Sequence, residues 1–152
     1  MNVLAIIQQF FRYMTKDKDI LYVFCPFSIG DFLVVGGLCH TLLKKKRKKT
    51  CVLILNDIYA KNSGLINFVG VTEIVYISTL LREIIRQYVF ATREFETDNF
   101  IYAHFHTLEG INNWTAVHAW NPNLSIADRW KENVLGLPLD TKVISPIIPP
   151  PR

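Results

Sequence analysis

The stretch ILYVFCPFSIGDFLVVGGLCHTLLKKK, residues 20–46, decides how this chain is read. ILYVFC (20–25) is an unbroken apolar run. Such runs suit a strand covered on both faces, as in a parallel sheet. Pro26 stops it, the chain turns through Ser28-Ile29-Gly30-Asp31, and apolar residues at helical spacing resume over 29–43.

The same alternation repeats downstream. TCVLILN (50–56) reads as a second buried strand and DIYAKNSGLINFVG (57–70) as a helix, with Asp57 near its start and Gly70 just past its end. EIVYI (73–77) is a third strand. STLLREIIRQYVFA (78–91) is a helix with Ser78 as its cap and apolar residues at 80, 81, 84, 85, 88 and 89. NFIYAHF (99–105) is a fourth strand. Short links between alternating strands and helices predict an α/β fold: a Rossmann-like, three-layer parallel sheet of four to five strands with helices on both faces and right-handed crossovers. Residues 106–123 read as a long loop, LSIADRWKENVLGLPLD (124–140) as a helix ending near Gly136 and Pro138, and SPIIPPPR (145–152) as an extended segment.

Before the first strand, Val3, Leu4, Ile7, Phe10, Phe11 and Met14 follow a three/four spacing, one face of an amphipathic helix. Docking on the domain or on a partner is the expectation, because a membrane-surface helix carries more Lys and Arg on its polar face. The expected organisation is an N-terminal helix and hinge over 1–18, the α/β domain over 19–142, and a proline-rich lead-in over 143–152.

Composition fits one packed domain: 152 residues, half apolar, a fifth charged. The net charge of +4 is local, since without the run Lys44-Lys45-Lys46-Arg47-Lys48-Lys49 the chain would be slightly acidic. A solvated helix end is the plain reading of that run, with attraction to an anionic membrane surface as the functional one. Nucleic acid is not an expected partner, for basic residues elsewhere are scattered and no stacking platform is evident. Cys25, Cys39 and Cys51 are odd in number, sit in apolar surroundings, and read as buried thiols in a reducing compartment. The patterns Asn113-Trp114-Thr115 and Asn123-Leu124-Ser125 are taken as chance. No stretch reaches the ~18 apolar residues of a transmembrane helix, and no signal peptide is evident, so a cytoplasmic location is expected.

The turn after the first strand holds the candidate chemistry. Ser28-x-x-Asp31 has the form of a capping box, worth about 1 kcal/mol to a helix. The glycines form neither a dinucleotide fingerprint nor a phosphate loop. Gly36-Gly37 inside the helix is expected to serve close helix–sheet packing.

At these residues the chain resembles the heptosyltransferase-like glycosyltransferases, glycosyltransferase family 9. Members open on a buried strand, a turn with S-x-G-D, a small and apolar helix and a basic end. ADRWKENVLGLPLD (127–140) is similar to the family helix ending in L-G-L-P, and the likeness covers roughly residues 19–148. It implies the acceptor half of a two-domain GT-B enzyme, metal-independent and inverting, with Asp31 as the base that takes the acceptor's proton. No cofactor is implied for this half: the nucleotide-sugar would bind a second domain, supplied by a partner chain or lost from a truncated one, and this chain alone would be inactive. Ser28 and Gly30 would lie against the acceptor, a glycan of the lipopolysaccharide type at the inner face of the membrane.

His104 and His106 alternate at the end of the fourth strand and point the same way. Acceptor contact and plain loop packing are both open for them; a metal site would need a third ligand, for which His118 is the only histidine nearby downstream. Trp114 and Trp120 would line an acceptor groove or cover the sheet, and Trp130 is expected in the core. The rival to a transferase half is a non-catalytic glycan-binding or scaffold remnant. A flavodoxin-like or response-regulator-like module is disfavoured, since no acidic cluster or phosphate loop follows the first strand.

Overall fold

The computed structural model describes residues 2–25, 29–59, 66–103 and 125–147. Helix α1 (Val3–Met14) leads into strand β1 (Ile20–Phe24), helix α2 (Ile29–Lys46) and strand β2 (Thr50–Asn56). Strand β3 (Glu73–Ile77), helix α3 (Thr79–Thr92), strands β4 (Glu96–Thr97) and β5 (Phe100–Tyr102), and helix α4 (Ile126–Arg129) follow, and α4 continues as a π-helical turn over Trp130–Leu135. The five strands form one sheet in the order β3-β2-β1-β5-β4. All neighbours are parallel except β4, which pairs antiparallel with β5 at the edge. β1 is therefore the central strand. A flavodoxin-like order would put β1 between β2 and β3. Here β3 lies beyond β2, so that alternative is excluded.

Both faces of the sheet are covered, which explains why its strands read as continuous apolar runs. Leu21, Val23, Cys51, Leu53, Leu55 and Ile101 face one core with Phe32, Val35, Leu38, Cys39 and Leu42 of α2 and Trp130 of the π turn. Tyr22, Phe24, Val52, Ile54, Phe100 and Tyr102 face the other, against Ile85, Tyr88 and Val89 of α3 and Phe11 of α1. Alternate residues of each strand enter opposite cores, as the strand's period of two requires.

Several expectations need correction. Residues 57–70 are not a helix where they are described: Asp57–Tyr59 is a 3-10 turn and Asn67 forms an isolated antiparallel bridge to Ile147. Phe68 is buried against α2, its ring edge-on to Phe32 at 6.1 Å, and residues 60–65 of the predicted helix lie outside the described residues. Gly70 is needed for another reason than capping. Its φ is +89°, and an added Cβ would stand 2.8 Å from the His40 Cα. The fourth predicted strand shortens to Phe100–Tyr102, preceded by the β4 edge that the sequence did not announce. The predicted 124–140 helix narrows to Ile126–Leu135; the Ser125 Oγ accepts from the Asp128 amide at its start, and Gly136 with φ +62° ends it.

Gly36 and Gly37 do not admit the sheet. A Cβ on Gly36 would meet the Phe68 ring at 2.5 Å. One on Gly37 would meet the Ile144 carbonyl and the Val143 side chain at 2.6 Å. The pair makes room for two crossing segments, and the Ile144 amide donates to the Gly37 carbonyl at 2.9 Å. Helix propensity alone favours Gly37→Ala by about 1 kcal/mol. Overpacking against backbone costs about 1–3 kcal/mol. Gly37→Ala is expected to be destabilising on balance in urea unfolding, and a stabilised variant would refute the close approach.

Predicted as one face, the apolar residues of α1 fall in two rows. Ile7, Phe11 and Met14 dock on the α3 side of the sheet, and Phe11 meets the Phe100 ring edge-on at 4.6 Å. Val3, Ile6, Phe10 and Tyr13 stay exposed. The helix is capped by Asn2, whose Oδ1 accepts from the Ala5 amide at 2.7 Å.

Candidate functional site

In a doubly wound sheet the ligand crevice lies beyond the carboxyl ends of the strands, where the order reverses. Here the chain runs outward from β1 through β2 to β3, then returns to place β5 on the other flank of β1. The switch point is thus between β1 and β5. Its rim is ordered: the Ala103 amide donates to the Phe24 carbonyl at 2.8 Å, and the Cys25 amide to the Ile54 carbonyl at 3.0 Å. The Phe24 and Tyr102 rings stack beneath it, 5.0 Å apart and 13° from parallel. Burial pushes the Tyr102 phenol far above its ordinary range, so it stays protonated at any physiological pH.

Helix α2 starts at this edge with Ile29, which puts Gly30 and Asp31 in its first turn. A helix N-terminus favours a carboxylate there by about 0.3–1 kcal/mol. The Asp31 side chain lies outside the described residues, as do Ser28, His104, His106, Trp114 and Trp120. The backbone places Asp31 beside the switch point, and β5 ends at Tyr102, two residues before His104.

One polar residue of this edge was missed in the sequence. Asn56 ends β2, is buried, and spends its Oδ1 on the Ile58 amide at 3.0 Å. Among the described residues, its Nδ2 has no hydrogen-bond partner. The signal was available: a polar residue closing the apolar run TCVLILN.

The thiols behind the site are inert. Cys25, Cys39 and Cys51 are buried thiols outside any disulfide. A hydrogen bond with Cys51, then burial, pushes the Cys39 thiol well above its usual range, and the Cys39 Sγ donates to the Val35 carbonyl at 3.3 Å. Trp130 is fully buried, as expected.

The basic run lies at the opposite edge and is largely engaged within the chain. The Lys45 Nζ donates to the Leu135 and Gly136 carbonyls at 3.2 Å each, holding the end of the π turn. Lys46 pairs with Glu96 at 2.7 Å, Lys48 with Asp98 and Lys49 with Asp19 at 3.6 Å. The Lys48 ammonium, by hydrogen bond and by charge, holds the Asp98 carboxyl below the usual carboxylate range. Among the described residues, no helix is long and apolar enough to cross a membrane.

No family model, no curated protein and no solved structure matches this chain. The likeness to the heptosyltransferase-like enzymes rests on the residues quoted for it alone.

Proposed function

We propose that the chain is the acceptor-binding half of an inverting sugar transferase acting on a cell-surface glycan of the lipopolysaccharide type. The observation that carries this reading is the position of Asp31, in the first turn of the helix that follows the central parallel strand, beside the topological switch point. A carboxylate there can accept the proton of an acceptor hydroxyl as its oxygen attacks the anomeric carbon. Gly30, with no side chain, lets the acceptor approach the helix backbone. Ser28, which precedes α2 in the chain, and His104 and His106, which follow β5, are the further acceptor contacts of this reading. The nucleotide-sugar belongs to a second α/β domain, in the same polypeptide or in a partner chain.

An NMR titration of this chain with a lipopolysaccharide inner-core oligosaccharide tests the reading. Amide shifts are expected at Cys25, Gly30, Asp31 and Ala103, at the carboxyl edge of the sheet. No shifts, or shifts confined to the opposite edge, would overturn it.

A further inference from the structure

The exposed row on α1 is unusual for a docked helix. Val3 is 71 % exposed, Ile6 51 %, Phe10 46 % and Tyr13 68 %. At about 100° per residue they line one stripe, turned about 100° from the row that docks on α3. Scattered exposed apolar residues are ordinary; an aligned stripe of large ones marks a contact surface.

Charge identifies what covers it. Residues 1–16 contain Arg12 and Lys16 and no acid. The Lys16 Nζ sits 4.1 Å over the Tyr13 ring, so the stripe ends in a cation. It then runs into the amino edge of the sheet. There the Lys49 amide donates to the Asp19 carbonyl and Lys48 pairs with Asp98, so the 15–19 hinge, the 44–49 run and the β4–β5 turn converge. That edge gathers eight cations, Lys16, Lys18 and 44–49, against the four carboxylates Asp17, Asp19, Glu96 and Asp98. The other charges of the sequence balance, nine against nine, so the whole net charge of +4 resides there. The cations that a membrane-surface helix ordinarily carries on its own polar face stand here on the adjoining edge.

A second copy, itself of net charge +4, offers this edge no complementary charge. An anionic surface meets it with opposite charge. From the stripe and the edge together, we infer that α1 is a peripheral membrane anchor that lays Val3, Ile6, Phe10 and Tyr13 into the interface of an anionic bilayer. Arg12, Lys16 and the amino edge of the sheet hold it by charge. This contact lies away from the switch point and does not depend on the sugar-transfer reading.

Co-sedimentation of the full chain with lipid vesicles tests it. The chain should bind phosphatidylcholine vesicles containing roughly one-third phosphatidylglycerol, should not bind pure phosphatidylcholine, and should be released by salt near 1 M, where the screening length is about 3 Å. Arg12→Gln with Lys16→Gln should weaken binding about fivefold per cation. Ile6→Gln with Phe10→Gln should weaken it more than tenfold, with the melting temperature lowered by no more than about 4 °C because each side chain is about half exposed. Absence of binding to the anionic vesicles, or binding that the Ile6/Phe10 pair leaves intact, would overturn the inference. So would a dimer in sedimentation velocity that the same pair dissolves.

Discussion

Trp130→Ala should lower stability by about 3–5 kcal/mol, a drop of roughly 10 °C in melting temperature for a chain of this length. Trp130 is fully buried in the core shared by α2, β1, β2 and the C-terminal turn, and it opens the π-helical stretch Trp130–Leu135. Alanine leaves a void on a segment that cannot readily collapse. Leu135 and Leu137 enter the same core, and Lys45 grips the Leu135 and Gly136 carbonyls from α2. Relaxation of the turn towards the cavity would break those bonds. Lys131, only 7 % exposed, is tied to the Asp128 Oδ1 at 3.1 Å and the Leu139 carbonyl at 3.2 Å, which restrains the turn further. Leu139→Ala, at an exposed site of the same region, should stay within about 0.5 kcal/mol. A loss under about 1 kcal/mol for Trp130→Ala in urea unfolding would show that the C-terminal turn is not part of the core.

In the proposed transferase, with its nucleotide-sugar domain present, Asp31→Asn should lower sugar transfer by about 10²–10⁴. Asparagine keeps the shape and an oxygen that can serve the end of α2 but cannot take a proton. A cap alone would survive the change, so the rate separates base from cap. In the proposed reaction Asp31 would take the proton late, once bond formation has made the hydroxyl acidic. Transfer within a few-fold of the parent enzyme would leave Asp31 as a capping residue and remove the support for the catalytic reading.

The parallel core was legible because burial on both faces erases the strand's alternation. ILYVFC and TCVLILN carry that mark, and they became the paired strands β1 and β2. What stayed illegible depended on distant partners. Residues 66–70 fall within a helical spacing, but Phe68 seats against Gly36 and Asn67 pairs with Ile147. Neither partner is visible in a local window. The β4 edge is only Glu96–Thr97, too short for any pattern. The basic run looked like a free surface feature, whereas Lys45, Lys46, Lys48 and Lys49 find partners that only the fold brings near. Of the candidate site, the location of Asp31 was readable from strand–turn–helix order. Asn56 was not recognised, since a buried amide with an unspent donor looks in sequence like the end of any strand.

Buried Asn99 in the β4–β5 turn donates its Nδ2 to the Thr15 carbonyl at 2.7 Å and the Asp17 carbonyl at 3.2 Å. The join between α1 and the first strand is thereby stitched to the far flank of the sheet. For α1 to peel away, that stitch must open and Phe11 must leave Phe100 together. The leading segment thus belongs to the same cooperative unit as the sheet and does not fray as terminal segments commonly do. Whatever grips its outer row grips the whole domain, and orients it as one body.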